Sequence, residues 1–301
     1  MKHLSQKQKQ WFKQNCIDYY NNNVERYVYT YKKDYLGYPG NQKRFEIIRS
    51  LVKKHAPKKV LYIGCGACMP MVMLMKEFDC IIHGIDFSKK MIDRGKTILQ
   101  ENGFSSDLIH EGDIEHAETL PDDEYDFAIA AGVFTHFPDD NIAFKNIHSK
   151  LRNGGVLVVE FRNELFSFFS YNRFSYDFIV NQLIFSQDLP VALKSNVNAF
   201  FKKAFDLPSD GDIDYQSTHI SNGVIKKFHN PITIASVLKQ AGFVFNSNYF
   251  YHFHALPIRF EQFDSKTYSN LSVKCEDPTD WKGYFMASAF VSEGIKGTYV
   301  F

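Results

Sequence analysis

The stretch Val60–Pro70, VLYIGCGACMP, decides the fold. An apolar run of strand length breaks into Gly64, Cys65 and Gly66, and apolar residues return at helical spacing from Met71 to Phe78. The pattern is strand, glycine turn, helix. Glycine lets the backbone turn tightly and lets a ligand approach the main chain, and the helix start supplies unpaired N–H groups. A small ligand is expected at that turn.

Upstream, Asn41 to His55 is an amphipathic helix with Phe45, Ile48 and Leu51 or Val52 on one face, leading through Pro57 into the opening strand. Ser5 to Tyr20 forms a first helix, broken at Asn21, Asn22 and Asn23. Tyr27, Tyr29, Tyr31, Tyr35 and Tyr38 follow, closed by Pro39 and Gly40. A tyrosine-rich segment here has two readings: a lid whose rings and hydroxyls cover the ligand, with Tyr31 and Tyr35 as contacts, or a cover for the flank of the core.

Downstream, Cys80 to Ile85 is a second strand ending in Asp86, and Lys89 to Gln100 is helical with Met91, Ile92 and Ile98 inward. Asp86 lies twenty residues beyond Gly66. In a parallel sheet wound by right-handed crossovers, a carboxylate there hangs beside the glycine turn and accepts from both hydroxyls of a ribose. A third strand around Asp107 to Glu111 ends in Gly112, Asp113 and Ile114. Tyr125 to Ala131 is a fourth strand; Gly132 to Phe137 turns into the helix through Ile142 to Leu151; Gly154 and Gly155 lead into the fifth strand, Val156 to Phe161.

This alternation predicts an α/β fold, a doubly wound, mostly parallel sheet with its ligand beyond the carboxyl ends of the strands. It lapses from Arg162 to Asn230, rich in Phe, Tyr and Asn with helical spacing through Phe178, Val180 and Leu183, which reads as an inserted, mainly helical cap. Pro231 to Ala241 is a helix stopped by Gly242, and Phe243 to His254 and Lys282 to Ser292 are two strands that should pair antiparallel. The expected organisation is residues 1–56 as an N-terminal helical or lid segment, 57–161 as a ligand-binding core, 162–230 as the cap and 231–301 as the rest of the core.

At 301 residues and 45% hydrophobic the chain can bury a core, and a net charge of +1 gives no general pull toward nucleic acid or an anionic membrane, although basic residues crowd between Lys32 and Lys59. Met1 to Cys16 is polar, and no run approaches the ~20 apolar residues of a membrane span, so a cytoplasmic protein is expected. Five scattered cysteines suit a reducing compartment. Cys65 and Cys68 lack a second ligand pair, and His252 and His254, sharing one strand face, lack a third ligand, so no metal site is expected.

The nucleotide can be narrowed. The third glycine of a dinucleotide fingerprint would be Met69, and no Gly-Lys-Ser or Gly-Lys-Thr follows the turn. VLYIGCG, GIDFSKKM, GDIEHAETLP, YDFAIAAGVFTHF and LRNGGVLVVEF stand instead in the order and spacing of another family. On these motifs the chain resembles the class I S-adenosylmethionine-dependent methyltransferases, especially the bacterial group similar to quinone-biosynthesis methyltransferases, from about Pro57 to Phe161 and again from Pro231 to the end. The resemblance implies a Rossmann-like, seven-stranded sheet closing with an antiparallel pair.

It further implies that Gly64, Cys65 and Gly66 pass under the methionine and ribose of the cofactor S-adenosylmethionine, that Asp86 takes the ribose hydroxyls, and that Phe87 and Met91 lie along the adenine. Asp113 would accept from the adenine amino group while Ile114 offers its N–H, and Ala131 and Gly132 would face the methionine amino group. One position departs from the pattern: Tyr62 stands where the family carries an acid, and a lid tyrosine is the expected compensation.

Methyl transfer is an in-line displacement, so positioning in a dry pocket contributes most, about 7 to 11 kcal/mol, and a general base adds ~10² to 10⁴ in rate. His136, just past the fourth strand, is the candidate base, with a structural role at the helix start as the alternative. Arg162 and Asn163 follow the fifth strand, Arg173 sits in the next helical stretch and His254 on the late strand; these are the candidate acceptor contacts, the arginines suiting a phosphate or carboxylate. Nucleic-acid base methylation is disfavoured because Ala131, Gly132, Val133 and Phe134 replace an Asn/Asp-Pro-Pro-aromatic segment, and no Pro-Cys serves a cytosine mechanism. The cap opening, FRNELFSFFSYNRF, looks similar to methyltransferases encoded with bacterial capsule and surface-polysaccharide genes, which implies a small-molecule acceptor, a sugar or a phosphate-like decoration. Quinone, lipid or other metabolite methylation, and a non-catalytic S-adenosylmethionine-binding scaffold, stay open.

Overall fold

The computed structural model describes residues 5–31, 37–137, 139–184, 188–209, 220–221 and 224–297. Its centre is β1 (Lys59–Ile63), which pairs in parallel with β2 (Ile81–Asp86) on one side and with β4 (Tyr125–Ala130) on the other. β3 (Ile109–Glu111) adds to β2 and β5 (Leu151–Arg162) adds to β4, both parallel. Beyond β5, β9 (Ala287–Lys296) runs antiparallel between β5 and β8 (Phe243–Phe253), giving a seven-stranded sheet in the order β3-β2-β1-β4-β5-β9-β8. The fold is the Rossmann-like α/β arrangement of methyltransferases, and the antiparallel closing pair stands as expected.

The central strands are apolar throughout because helices cover both faces. Val60, Leu61, Phe127, Ala128, Ile129 and Ala130 are all fully buried. Ile48, Leu51, Val60 and Phe127 share one core, and Leu61, Ile63, Phe134, Phe144, Phe161 and Phe290 share the other. On the first face lies α3 (Gly40–His55), whose last turn holds Lys53, Lys54 and His55, a charge that suits the negative helix end. Lys54 Nζ and His55 Nε2 reach Glu293 Oε1 of β9 at 2.8 and 2.6 Å.

After β1 the chain turns at Gly64 with φ +66°, where an added Cβ would come 2.5 Å from Val133 Cγ2. Only glycine combines that backbone with that approach. α4 (Met69–Glu77) begins directly afterwards with Pro70 in its first turn, and α5 (Lys89–Glu101) is capped by Ser88, whose Oγ accepts from Met91 N at 3.2 Å.

The sequence boundaries need correction near the end of the chain. Residues 231–233 form a turn, and the helix begins only at Ile234. The last strand, expected from Lys282, starts at Ala287, because Gly283–Met286 form a helical turn. Asn163 Nδ2 donates to the carbonyls of Gly283, Tyr284 and Ala287, which satisfies the end of that turn. Between β5 and β8 the described chain is helical over Ser167–Ser170, Arg173–Tyr176 and Val191–Ala204, with a π-helix at Asp177–Leu183. It also holds a short antiparallel pair, β6 (Ile220–Ser221) with β7 (Val224–Ile225), that periodicity did not reveal. No helix among the described residues is long and apolar enough to cross a membrane.

Candidate cofactor and acceptor site

A cavity of about 460 Å³ opens where β1, β2, β4 and β5 end. Gly64, Gly66, Asp86, Phe87, Met91, Ala131 and Gly132 line it, together with His136 and Arg162. Its cover comes from α1 (Gln6–Asn22) and α2 (Val24–Tyr29), which bring Tyr19, Tyr20, Arg26 and Tyr27 to the wall. Tyr27 packs so closely that a Cβ on Gly66 would sit 3.0 Å from its Cε1, and Asn21 Oδ1 accepts from Ser88 Oγ at 2.8 Å.

Asp86 is held beside the glycine turn. Its Oδ2 accepts from Gly66 N at 2.9 Å and its Oδ1 from Ser88 N at 2.8 Å. Burial pushes its pKa up to about 6, although both N–H bonds favour the charged form. Each oxygen keeps a further acceptor position, as a ribose diol requires.

Position 62 puts no acid at the cavity, whereas β5 does. Tyr62 is buried in the core. Glu160 of β5 lines the cavity, accepts from Gly132 N at 2.5 Å and faces Arg44 Nη1 at 3.4 Å. Arg44 also donates to Tyr31 Oη at 2.9 Å and to Asn41 Oδ1 at 3.1 Å. Tyr31 therefore stands behind Arg44 and is absent from the cavity wall, whereas Tyr27 and Tyr38 are in it. Tyr35 lies outside the described residues.

Cys65, Asp113 and Ile114 put no side chain in the cavity wall. The Cys65 side chain is buried in the core, 3.9 Å from Cys68 Sγ, and burial raises its pKa well above the ordinary thiol value. Only the backbone of this residue is left to serve the turn. Asp113 is ion-paired with Lys13 of α1 and accepts from Glu115 N at 3.0 Å. Ile114 is buried, its carbonyl accepting from Asn146 Nδ2 at 2.7 Å. Neither lines the cavity, because Thr119 Oγ1 folds the loop after β3 back on Asp113 N at 2.9 Å and α1 packs against the carboxylate.

On the acceptor side, His136 Nδ1 lies 3.0 Å from the Ile225 carbonyl and Nε2 lies 2.9 Å from Tyr20 Oη. A carbonyl only accepts, so Nδ1 carries the proton and Nε2 receives the Tyr20 hydroxyl. Burial, reinforced by Arg162 and Lys226, pushes the imidazole pKa down to about 4, against the pull of the Ile225 carbonyl and Glu160. The ring is a neutral acceptor at physiological pH.

Arg162 lines the same space, but the other acceptor candidates do not. Asn163 is a buried scaffold side chain, as described above. Arg173 is exposed outside the wall, its guanidinium 5.4 Å from the Phe174 ring centre. His254 is buried, with Nδ1 2.7 Å from Tyr268 Oη and its ring stacked 4.6 Å from Phe166. His252 takes its place at the wall: a left-handed backbone, φ 61°, turns it out of strand alternation to stack on Tyr38 at 4.4 Å.

The residues that sequence reasoning missed are Tyr20, Arg44, Glu160 and Tyr251. One signal was present. Glu160 interrupts the buried run VLVVEF, and a charge in such a strand requires a partner. Arg44 and Tyr20 lie in ordinary helical patterns that mark nothing.

Comparison with known proteins points to one kind of domain. Residues 61–159 match the family described as "Methyltransferase domain". Over 130 residues, 38% of this chain and 43% of the relative, the sequence is 31% identical to glycine N-methyltransferase of Mus musculus. Over 102 residues, 34% of this chain and 27% of the relative, it is 30% identical to a sterol 24-C-methyltransferase of Aspergillus fumigatus. The chain thus spans less than half the length of either curated relative. Magnesium protoporphyrin IX methyltransferase from Synechocystis PCC 6803, solved with bound S-adenosylhomocysteine, superposes with a TM-score of 0.56 at 14% identity, covering 95% of this chain and all of that one. Residues 61–159 thus match a methyltransferase-domain family, and the sheet that carries them has the fold of a solved methyltransferase.

Proposed function

We propose that the protein is an S-adenosylmethionine-dependent methyltransferase acting on a small molecule. The observation that carries this reading is the convergence in one cavity of the glycine turn, the buried Asp86 carboxylate and the neutral Nε2 of His136. The residues present fit the cofactor: Asp86 for the ribose hydroxyls, Phe87 and Met91 beside the adenine, Glu160 with the Gly132 backbone for the ammonium, and Arg44 for the carboxylate. When bound, S-adenosylmethionine supplies an electrophilic methyl group on its sulfonium.

The chain's own part is to bind, orient and dry the site. The tyrosine cover from α1 and α2 excludes water and holds the reactants, the larger contribution at about 7 to 11 kcal/mol. His136 Nε2 takes a proton from an acceptor hydroxyl once that hydroxyl replaces Tyr20, a contribution of roughly 3 to 5 kcal/mol. The finer reading is O-methylation of a sugar or phosphate-like group used in a bacterial surface polysaccharide, in the cytoplasm. It rests on the likeness of the cap opening, FRNELFSFFSYNRF, to methyltransferases of such gene clusters.

The test pairs calorimetry with S-adenosylhomocysteine and an assay of S-adenosylhomocysteine release over nucleotide sugars, phosphoryl compounds, quinones, lipids and RNA. Binding with turnover of a sugar or phosphoryl compound is expected. Absence of cofactor binding overturns the methyltransferase reading; turnover confined to quinones, lipids or RNA overturns the finer one.

A further inference from the structure

Arg162, which lines the cavity, and Lys226 stand close enough to His136 for both charges to act on its imidazole. Glu160 faces Arg44, and Asp140 is held by Lys227 at 2.5 Å and by His229 at 2.9 Å. Among the described residues no carboxylate forms an ion pair with Arg162, Arg173 or Lys226.

Backbone hydrogen bonds hold the segment that carries Lys226 against the end of β5 that carries Arg162. The Arg162 carbonyl accepts from His229 N at 2.8 Å, the Thr135 carbonyl from Lys227 N at 2.8 Å, and the Ile225 carbonyl faces His136 Nδ1 at 3.0 Å. The segment from Ile225 to His229 is thereby stitched between the loop after β4 and the end of β5, with Lys226 between two stitches. Phe174, against which the Arg173 guanidinium lies, meets Phe228 of that segment at 5.7 Å. Burial lowers the Lys226 pKa, and Arg162 and Arg173 lower it further, as unshielded like charges do.

We propose that Arg162, Lys226 and Arg173 form the anion subsite of the methyl acceptor, so that the acceptor is a small molecule bearing a carboxylate or phosphate close to its methylated atom. The inference rests on the methyltransferase reading and narrows its substrate class. Arg162 presents the planar donor fork that either anion accepts from two nitrogens at once, while Lys226 and Arg173 add charge at the rim. An anion there also cancels the repulsion by which Arg162 and Lys226 suppress His136, raising the basicity of the ring when the acceptor is in place.

The test uses the full chain saturated with S-adenosylhomocysteine and titrates inorganic phosphate and malonate by calorimetry. At least one is expected to bind, at least fivefold more weakly to Arg162→Gln and Lys226→Gln, with Arg162→Lys intermediate and S-adenosylhomocysteine affinity within twofold throughout. Binding of phosphate alone assigns a phosphate group, and of malonate alone a carboxylate. Retained S-adenosylhomocysteine affinity in every variant shows that the fold survives. If neither anion binds, or both bind all variants equally, while S-adenosylhomocysteine binds normally, the subsite is overturned. If wild-type protein fails to bind S-adenosylhomocysteine, the methyltransferase reading falls and the subsite with it.

Discussion

The hydroxyl of Tyr20 lies 2.9 Å from Nε2 of His136, so the acceptor nitrogen of that ring is occupied by the cover. Tyr20 belongs to α1, the helix that also ion-pairs through Lys13 with Asp113. The same element therefore covers the His136 side of the cavity and also packs against the loop after β3.

If His136 is the base, His136→Ala lowers kcat by ~10² to 10⁴ with an alcohol acceptor and leaves S-adenosylhomocysteine affinity unchanged. Tyr20→Phe removes only the internal donor, and turnover is expected within about tenfold of wild type. Steady-state kinetics beside calorimetry check both. Unchanged turnover of folded His136→Ala assigns the ring to structure.

Asp86 sets the acid limb of cofactor binding. Its folded pKa is raised to about 6, so protonation below that value removes the acceptor that ribose hydroxyls need. S-adenosylhomocysteine affinity is expected to fall as pH drops through 6, and Asp86→Asn to bind weakly with a flatter profile. The linkage with stability has the opposite sense: protonated Asp86 stabilises the free fold below about pH 4, and this contribution is lost as pH rises through 6. His136, held near 4, stays neutral across this range and leaves kcat flat. Calorimetry from pH 5 to 8 and thermal melts of the free protein separate the two effects.

Glu160→Gln weakens S-adenosylhomocysteine by roughly 10- to 100-fold, the worth of about 1.5 to 3 kcal/mol for a hydrogen bond to a charged group. The comparison ligand is 5′-methylthioadenosine, which lacks the amino-acid end. Its affinity is expected to stay the same, and an equal loss for both ligands shows that Glu160 acts through the fold.

Glu293→Ala destabilises the protein by roughly 1 to 3 kcal/mol, because it removes the anchor that Lys54 and His55 of α3 grip on β9. The loss stays below that for a fully buried pair because Lys54 is half-exposed and turns to water when released. Burial pushes the Glu293 pKa up, but hydrogen bonds from Lys54, Asn246, His55 and Tyr249 together hold it down at about 2. Its stabilisation is present above the ordinary value of 4.5 and is lost as pH falls toward 2. Melts of wild type and variant should therefore converge in acid.

What the sequence determined by itself is the local grammar: β1, the glycine turn, Asp86 at the end of β2, the alternation of strand and helix, and the antiparallel close. These follow from hydrophobic period and from glycine's backbone freedom, which act over a few residues. The placements of Asp113, Cys65 and His254 did not follow, since each depends on what packs against it: Lys13, Cys68 and Tyr268. Tertiary structure alone decided the two contacts that define the chemistry. Tyr20 with His136 and Arg44 with Glu160 each join residues 116 positions apart, bringing the N-terminal helices onto strand ends through sheet order. No periodicity in either segment records such a partner, because pairing at that range is fixed by the packing of whole elements and not by neighbours in the chain.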